Sequence, residues 1–454
     1  MRKYFGTDGI RRIANTELTP ELVYKVAKAG AYVLSKHTDH APTIFIGRDT
    51  RISGTLIESA MIAGFLSYGA NVKMLGVMPT PAVAYLTKRF KADASVVISA
   101  SHNTYEFNGV KYFSNKGMKI PDELEEEIEE VMDSGKINEL TAVNDKIGVS
   151  EIRTDLLDEY VYFFRKNFEE ELEELNKDNF VVAIDTANGA TSVVADKVFT
   201  VLGIKHHILN DNPDGININD NCGSTHLGML KDYVIKNKCS LGIAYDGDGD
   251  RCLAIDEKGN EIDGDKILAV LSNYFKKKGK LNKDTVVATV MSNLGLNKYA
   301  KQNDLNFVQT KVGDRYVLEE MLKNGYNLGG EQSGHVICLD YNPTGDGILT
   351  SLMLIRAILE EGKPASEVAS IMKAYPQVLI NAKVSSEKKY DFDKNEEIKS
   401  EIEKLEKEFN GNGRVLIRAS GTEPLVRVMI EGEDTEYIEQ RAKQIADLIA
   451  EKCK

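Results

Sequence analysis

ASVVISASHNTYEFNGVKYF occupies Ala94–Phe113. Ala94 to Ile98 is an uninterrupted apolar run of strand length, read as a strand buried on both faces. It empties into small polar groups, Ser99, Ser101, His102 and Asn103, and the stretch returns through Lys111. A buried strand that ends this way leads either into a plain turn or into an active site. The chain on either side of it decides which.

The same layout precedes and follows it. TIFIG (Thr43–Gly47) reads as a strand, followed by RDTRISG and a helical pattern carrying Leu56, Ile57, Ala60, Met61, Gly64 and Phe65. A second round starts at VVAIDTANGA (Val181–Ala190) and reaches LGIAY, which runs into DGDGDR (Asp246–Arg251). A third starts at TVVATVMSN (Thr285–Asn293) and ends in YNLGGEQSGH (Tyr326–His335). Alternating strands and helices argue for an α/β fold with mixed or mostly parallel sheets, here three similar domains. Ligands of such sheets bind beyond the carboxyl ends of strands, so SASHN, DGDGDR and GEQSGH are expected to face one central cleft. From about residue 371 the pattern changes to strand, charged helix, strand, tight turn, strand and helix, a small C-terminal α+β domain. The expected domains are 1–150, 151–255, 256–370 and 371–454.

The length of 454 residues accommodates that number of domains. A formal net charge of −13 argues against nucleic acid, which needs a positive field, and against membrane surfaces. The first twenty residues lack an apolar signal core, and no apolar run approaches the ~20 residues of a membrane span. The five cysteines are scattered, with no CxxC, so neither a zinc ribbon nor a disulfide framework is indicated. A cytoplasmic protein with free thiols is expected.

Asp246, Asp248 and Asp250 alternate with glycine directly after a buried strand. Carboxylates brought that close need a cation, and their oxygens select a hard one such as Mg²⁺. The plain alternative is a glycine-rich turn with solvated aspartates. An EF-hand is excluded because Arg251 stands where the loop glycine must be. RASGTEPLVRV (Arg418–Val428) pairs a Ser-Gly-Thr turn, Ser420 to Thr422, with Arg418 and Arg427, a cradle for a phosphate dianion; the alternative is a hairpin with solvated arginines. GGEQSGH brings Glu331, Ser333 and His335 together as partners for sugar hydroxyls, or as an ordinary polar loop. FGTDGIRR and GRDTRISG carry Arg11, Arg48 and Arg51 beside glycines and read equally as basic turns. No GxSxG elbow surrounds Ser101, and His102, adjacent on a strand end, should point away from it. A serine facing aspartates through Mg²⁺ suits phosphoryl transfer better, with Lys111 either returning across the site as a candidate base or standing as an ordinary surface lysine.

Taken in order, SASHN, DGDGDR, GEQSGH and RASGTEP resemble the α-D-phosphohexomutase superfamily, over the whole chain from Phe5 onward. The resemblance implies four domains around a cleft, a phosphoserine at Ser101, and one Mg²⁺ per chain held by Ser101, Asp246, Asp248 and Asp250. It implies sugar contacts from Glu331 and Ser333, and a cradle of Arg418, Ser420, Gly421, Thr422 and Arg427 for the non-reacting phosphate. Lys111 in NGVK matches the position proposed as base, and Arg11, His102, Arg251 and His335 complete the candidate catalytic set. The FGTDGIR opening and the GEQSGH spelling look most like bacterial members acting on glucosamine phosphates. That implies exchange between the 6- and 1-phosphates through a hexosamine 1,6-bisphosphate, feeding cell-wall precursor synthesis. The partner is then a phosphosugar, with a homodimer left open. A neutral-sugar mutase, a non-catalytic phosphosugar-binding protein and a phosphatase are the rivals. Two departures stand out: Thr104 where the family usually has proline, and Arg12 where it usually has glycine. If that glycine served a positive φ, the turn must be rebuilt.

Overall fold

The computed structural model describes residues 3–6, 8–385, 387–420 and 424–454. Two compact units emerge, one of residues 1–291 and 306–370, the other of residues 292–305 and 371–454. The larger holds three sheets of one plan. In the first, strand Thr43–Arg48 pairs parallel with Asn71–Val77 on one side and with Ala94–Ile98 on the other, and Phe107–Ser114 returns antiparallel to Ala94–Ile98. In the second, Val181–Asp185 lies between parallel Lys205–Leu209 and Leu241–Tyr245, and Cys252–Asp256 returns antiparallel. In the third, Thr285–Thr289 lies between parallel Asn306–Thr310 and Leu328–Gly330, and Val336–Cys338 returns.

The threefold layout expected from sequence is therefore real down to strand order, and the sheets are mixed because each round ends in an antiparallel hairpin. Edge strands elaborate two of the sheets: Ile10–Ile13 and Ser150–Ile152 in the first, Glu261–Ile262 in the second. The central strands Ala94–Ile98, Leu241–Tyr245 and Thr285–Thr289 are buried at every residue, as continuous apolar runs covered on both faces should be. Helices Pro20–Ser35 and Gly54–Tyr68 pack on the first sheet through Val23, Val26, Ile57, Met61 and Phe65. Thr19 caps the former by accepting from the Leu22 N–H, with Pro20 in the first turn where its missing N–H costs nothing.

The smaller unit has an antiparallel sheet in the order Gln377–Lys383, Leu425–Glu431, Arg414–Ala419. Helices Glu396–Phe409 and Thr435–Lys452 bury Ile398, Leu405, Ile438, Ile445 and Ile449 with Val426, Val428 and Ile430. No helix among the described residues is long and apolar enough to cross a membrane.

Candidate active site

The three strand-end motifs all become hairpin tips. Tyr245 pairs with Cys252, leaving Asp246–Arg251 as the tip; Gly330 pairs with Val336, leaving Glu331–His335. Ile98 pairs with Val110, so SASHN lies on the turn and Lys111 on the returning strand, opposite Val97. The glycines between the aspartates are structural necessities. Gly249 has φ +72°, and a Cβ at Gly247 would lie 2.6 Å from the Ser101 carbonyl oxygen.

Those approaches bring Ser101 onto the acidic tip. Its Oγ donates to Asp246 Oδ2 at 2.6 Å. One ligand oxygen from each of Asp246, Asp248 and Asp250 lies within 4.8 Å of the others, and all three side chains are buried. Asp248 Oδ2 accepts from Thr80 Oγ1 at 2.7 Å and from Lys111 Nζ at 2.9 Å. Lys111 Nζ also lies 3.1 Å from Asp8 and 3.8 Å from Asp250. Asp248 Oδ1 and Asp250 Oδ1 are buried with no hydrogen-bond partner. Buried carboxylate oxygens seldom go unpaired, so orphaned oxygens on a converging hard-donor set fit a divalent cation.

The charges around the tip are strongly shifted. Burial, then the neighbouring Asp250 and Asp248, push the Asp246 carboxyl well up. Burial acts the same way on Asp250, but Lys111 and His335 overcome it and hold that carboxyl low. Burial would lower the Lys111 ammonium, yet Asp248, Asp8 and Asp250 raise it. His102 is driven down to about 4, first by burial and then by Arg251 and Arg11, so it is neutral at pH 7. His335 is buried too, and Asp250 and Asp314 outweigh that burial and raise it. Its ring lies 3.6 Å from Asp250 and 3.4 Å from Asp314, and its Nε2 accepts the Gly345 N–H at 3.1 Å.

A cavity of about 600 Å³ opens beside this cluster. It is lined by the first strand and the segment before it, including Asp8, Arg11 and Arg12, together with Lys119, Asp250, Arg251, Asp314, Glu331 and His335. Arg11 bridges Asp8 and Asn103, at 3.0 and 2.9 Å. Glu331 accepts the Gly313 N–H at 3.2 Å, and Ser333 Oγ is buried without a partner.

Four models of one family match in order: phosphoglucomutase/phosphomannomutase α/β/α domains I, II and III over residues 2–139, 158–259 and 263–375, and the C-terminal domain over residues 379–448. A curated phosphoglucosamine mutase of Clostridium botulinum is 53% identical over 456 residues, covering 100% of both chains. The chain belongs to the phosphoglucomutase/phosphomannomutase family. It is thereby an enzyme of the isomerase class, a phosphohexomutase whose curated full-length relatives are phosphoglucosamine mutases. In fold it is similar to a putative phosphomannomutase from Thermus thermophilus, with a TM-score of 0.79, 22% identity, and 99% and 100% of the two chains covered. It is also similar to Aspergillus fumigatus N-acetylphosphoglucosamine mutase, solved with GlcNAc-6P and magnesium, with a TM-score of 0.69, 17% identity, and 100% and 96% covered.

Several sequence expectations need correction. His102 does not point away from Ser101: Ser101 has φ +52°, which breaks strand alternation and leaves the His102 Nδ1 3.3 Å from Ser101 Oγ. Arg48 and Arg51 are not the exposed turn residues that their sequence suggests. Arg48 pairs with Glu58 at 3.1 Å. Arg51 is fully buried, paired with Asp49 and bonded to the Ser101 and Asn103 carbonyls. Arg12 needs no rebuilt turn: it lies in strand Ile10–Ile13 outside the positive-φ set, and donates to the Lys3 carbonyl at 3.0 Å. Three participants had escaped notice. Lys119 bridges Asp8 and Asp314, which are 111 and 195 residues away in sequence. Asp8 lay within FGTDGIRR and Asp314 within VGD at a helix start, while nothing local marks Lys119.

In the smaller unit, Arg418 and Arg427 are direct cross-strand partners. Arg427 is exposed and Arg418 half-buried, so solvent screens part of their repulsion, and an anion between them would relieve the rest. Burial, then Arg427, lowers the Arg418 guanidinium, and its Nη1 is buried without a partner. Ser420 is buried, its carbonyl accepting from Lys389 Nζ at 2.9 Å; Gly421 and Thr422 lie outside the described residues.

Proposed function

We propose that the chain interconverts glucosamine 6-phosphate and glucosamine 1-phosphate, with Ser101 as phosphoryl carrier. The observation that carries the chemistry is the 2.6 Å contact of Ser101 with Asp246, on an acidic tip with orphaned oxygens. The choice of amino sugar follows the full-length kinship with a phosphoglucosamine mutase.

Phospho-Ser101 gives its phosphoryl group to the free sugar hydroxyl: the new O–P bond forms as the Oγ–P bond breaks. The leaving Ser101 oxygen gains a proton from Lys111, held charged by Asp248 and Asp8, and the Lys111 amine so formed takes the proton that the sugar hydroxyl loses, so none is gained or lost overall. The hexosamine 1,6-bisphosphate then turns over and returns its other phosphate to Ser101. Asp246, Asp248 and Asp250, with the Ser101 oxygen, would hold Mg²⁺, which when bound offsets the charge of the transferring group. The triad brings three negative charges against Lys111 and Arg251, which leaves room for a dication once phosphate arrives. Arg11 and Arg251 attract the phosphosugar, Glu331, Ser333 and His335 hold its hydroxyls, and Arg418, Ser420, Gly421, Thr422 and Arg427 hold the distant phosphate. The first sheet's domain carries the nucleophile, the second's the metal site, the third's the sugar contacts and the C-terminal unit the phosphate cradle; strands Ser150–Ile152 and Glu261–Ile262 move the expected boundaries at 150 and 255 to later residues.

A phosphatase would instead pass the phosphoryl group of phospho-Ser101 to water, and so would release inorganic phosphate that a mutase does not. The cytoplasm as location and a homodimer as assembly belong to the same proposal. The test is one coupled assay of glucosamine, glucose and mannose 6-phosphates on a single preparation. The amino sugar is expected to show the highest kcat/KM. A neutral sugar that outperforms it overturns the substrate and leaves the chemistry standing.

A further inference from the structure

Ser101 holds a left-handed backbone, φ +52°, which a residue with a Cβ keeps only where its surroundings enforce it. Two side chains supply the enforcement. Arg51, from the loop after Thr43–Arg48, bonds the carbonyl oxygens of Ser101 and Asn103. Asn219, from the loop after Lys205–Leu209 in the second sheet's domain, bonds the same two oxygens, each at 2.8 Å. Both acceptors are carbonyls, so the side-chain amide must present its NH₂ to them. Asn219 is 2% exposed, is itself left-handed at φ +57°, and is anchored through its N–H to the Ala187 carbonyl at 2.9 Å. It also packs against the acidic tip, where a Cβ at Gly247 would come within 2.7 Å of its Nδ2. It neither lines the cavity nor bonds an aspartate of the triad.

We propose that Asn219 is a positioning residue for phosphoryl transfer. By clamping the carbonyls on either side of His102, it fixes the turn that aims Ser101 Oγ at Asp246, and it ties the nucleophile's domain to the metal-binding tip. This rests on the reading of Ser101 as phosphoryl carrier.

A merely structural alternative exists, because other bonds cross the same seam without touching Ser101. Thr50 Oγ1 donates to the Asn188 carbonyl at 2.6 Å, and the Ile52 N–H to the Gly215 carbonyl at 2.8 Å. The experiment therefore compares three variants of the full chain: Asn219→Asp, Asn219→Gly and Thr50→Val. Aspartate tolerates the left-handed backbone but replaces both donors with acceptors; glycine keeps the backbone and removes the donors, so it remains informative where the aspartate variant does not fold. The readouts are kcat and KM for glucosamine 6-phosphate, phosphoryl occupancy of Ser101 by intact mass, and the unfolding midpoint.

In both Asn219 variants kcat is expected to fall about 10- to 100-fold, the scale of a small misplacement of a reacting group, with KM within about 2-fold. Thr50→Val is expected to lower the midpoint and leave kcat unchanged. Wild-type kcat in Asn219→Gly, or a kcat loss in Thr50→Val matching its loss of stability, overturns the proposal. A wild type that turns over with no phosphoryl on Ser101 overturns the underlying reading, and the clamp's role with it.

Discussion

Two sets of carboxylates in the larger unit are equally buried and differently finished. Asp185 accepts from the Ala187 N–H, the Gly223 N–H and Asn210 Nδ2, all within 2.9 Å. Asp346 caps helix Gly347–Glu361 through the Leu349 N–H and accepts from Tyr160 and Asn342. These two hold chain against chain. Asp246, Asp248 and Asp250 repel one another, take Ser101, Thr80, Lys111, His335 and the Arg251 N–H as partners, and still leave oxygens without a donor. The smaller unit repeats the contrast with the opposite charge. Arg414 is paired with Glu431 and the Ser292 carbonyl, whereas Arg418 faces Arg427 with a bare Nη1. A buried charge with all its partners in place maintains the fold. One with a partner missing marks where a ligand of opposite sign belongs.

Removing the group that the unfinished carboxylates serve should cost the most. Ser101→Ala is expected to abolish mutase turnover and the phosphoryl adduct on intact mass, while the unfolding midpoint stays put. Full turnover in that variant ends the assignment. Asp248→Asn comes next: turnover is expected to fall by about 10³-fold or more, because charge neutralisation dominates phosphoryl transfer. Its midpoint should fall far less than its turnover, because the repulsion relieved within the triad offsets part of the Lys111 ion pair that is lost. Chelation should likewise stop the wild type, with excess Mg²⁺ restoring it; activity that survives in metal-free protein refutes the cation.

Arg418→Ala tests the mirrored case. A charged hydrogen bond is worth roughly 1.5–3 kcal/mol, or about 10- to 150-fold. In a mutase the distant phosphate sits in one cradle for both orientations, so kcat/KM should fall by that factor from either hexosamine phosphate. A loss in one direction alone removes Arg418 from the cradle. Arg414→Ala, which strips Glu431 of its partner, should cost stability instead.

Most of the fold was legible because its signals are local. Buried runs such as Ala94–Ile98 and the tips that follow them declare strands and their ends. The C-terminal strand-helix-strand-turn-strand-helix order was equally plain. Depth was not legible. GRDTRISG looks like a basic turn, and only tertiary packing turns Arg51 into a fully buried brace. The direction of His102 depended on one left-handed φ, for which SASHN carries no mark. Lys119, Asp8 and Asp314 meet across 111 and 195 residues, so their network exists only once the chain is folded.

Among the finished carboxylates, Asp346 should give a smaller effect, on stability. Burial outweighs the donors to Asp346, the Leu349 and Ile348 N–H groups, Asn342 and Tyr160, and pushes its carboxyl up to about 6, from an ordinary 3.8. Below pH 4 both folded and unfolded states carry the proton, and the group's contribution to stability is fully present. Between pH 4 and 6 the unfolded state ionises first, so that contribution drains away as pH rises through 6. A shift of this size corresponds to roughly 2–3 kcal/mol. Asp346→Asn keeps the cap and the volume but cannot ionise. The stability of the wild type minus that of the variant, from urea unfolding, should therefore drop by about that amount between pH 4 and 7.5, with turnover little changed. The subtraction cancels every other titrating group that the variant leaves alone. A flat difference would mean that the donors around Asp346 fully compensate its burial. A difference that grows with pH would mean that they hold the charged form, and that burial alone does not separate the finished carboxylates from the unfinished ones.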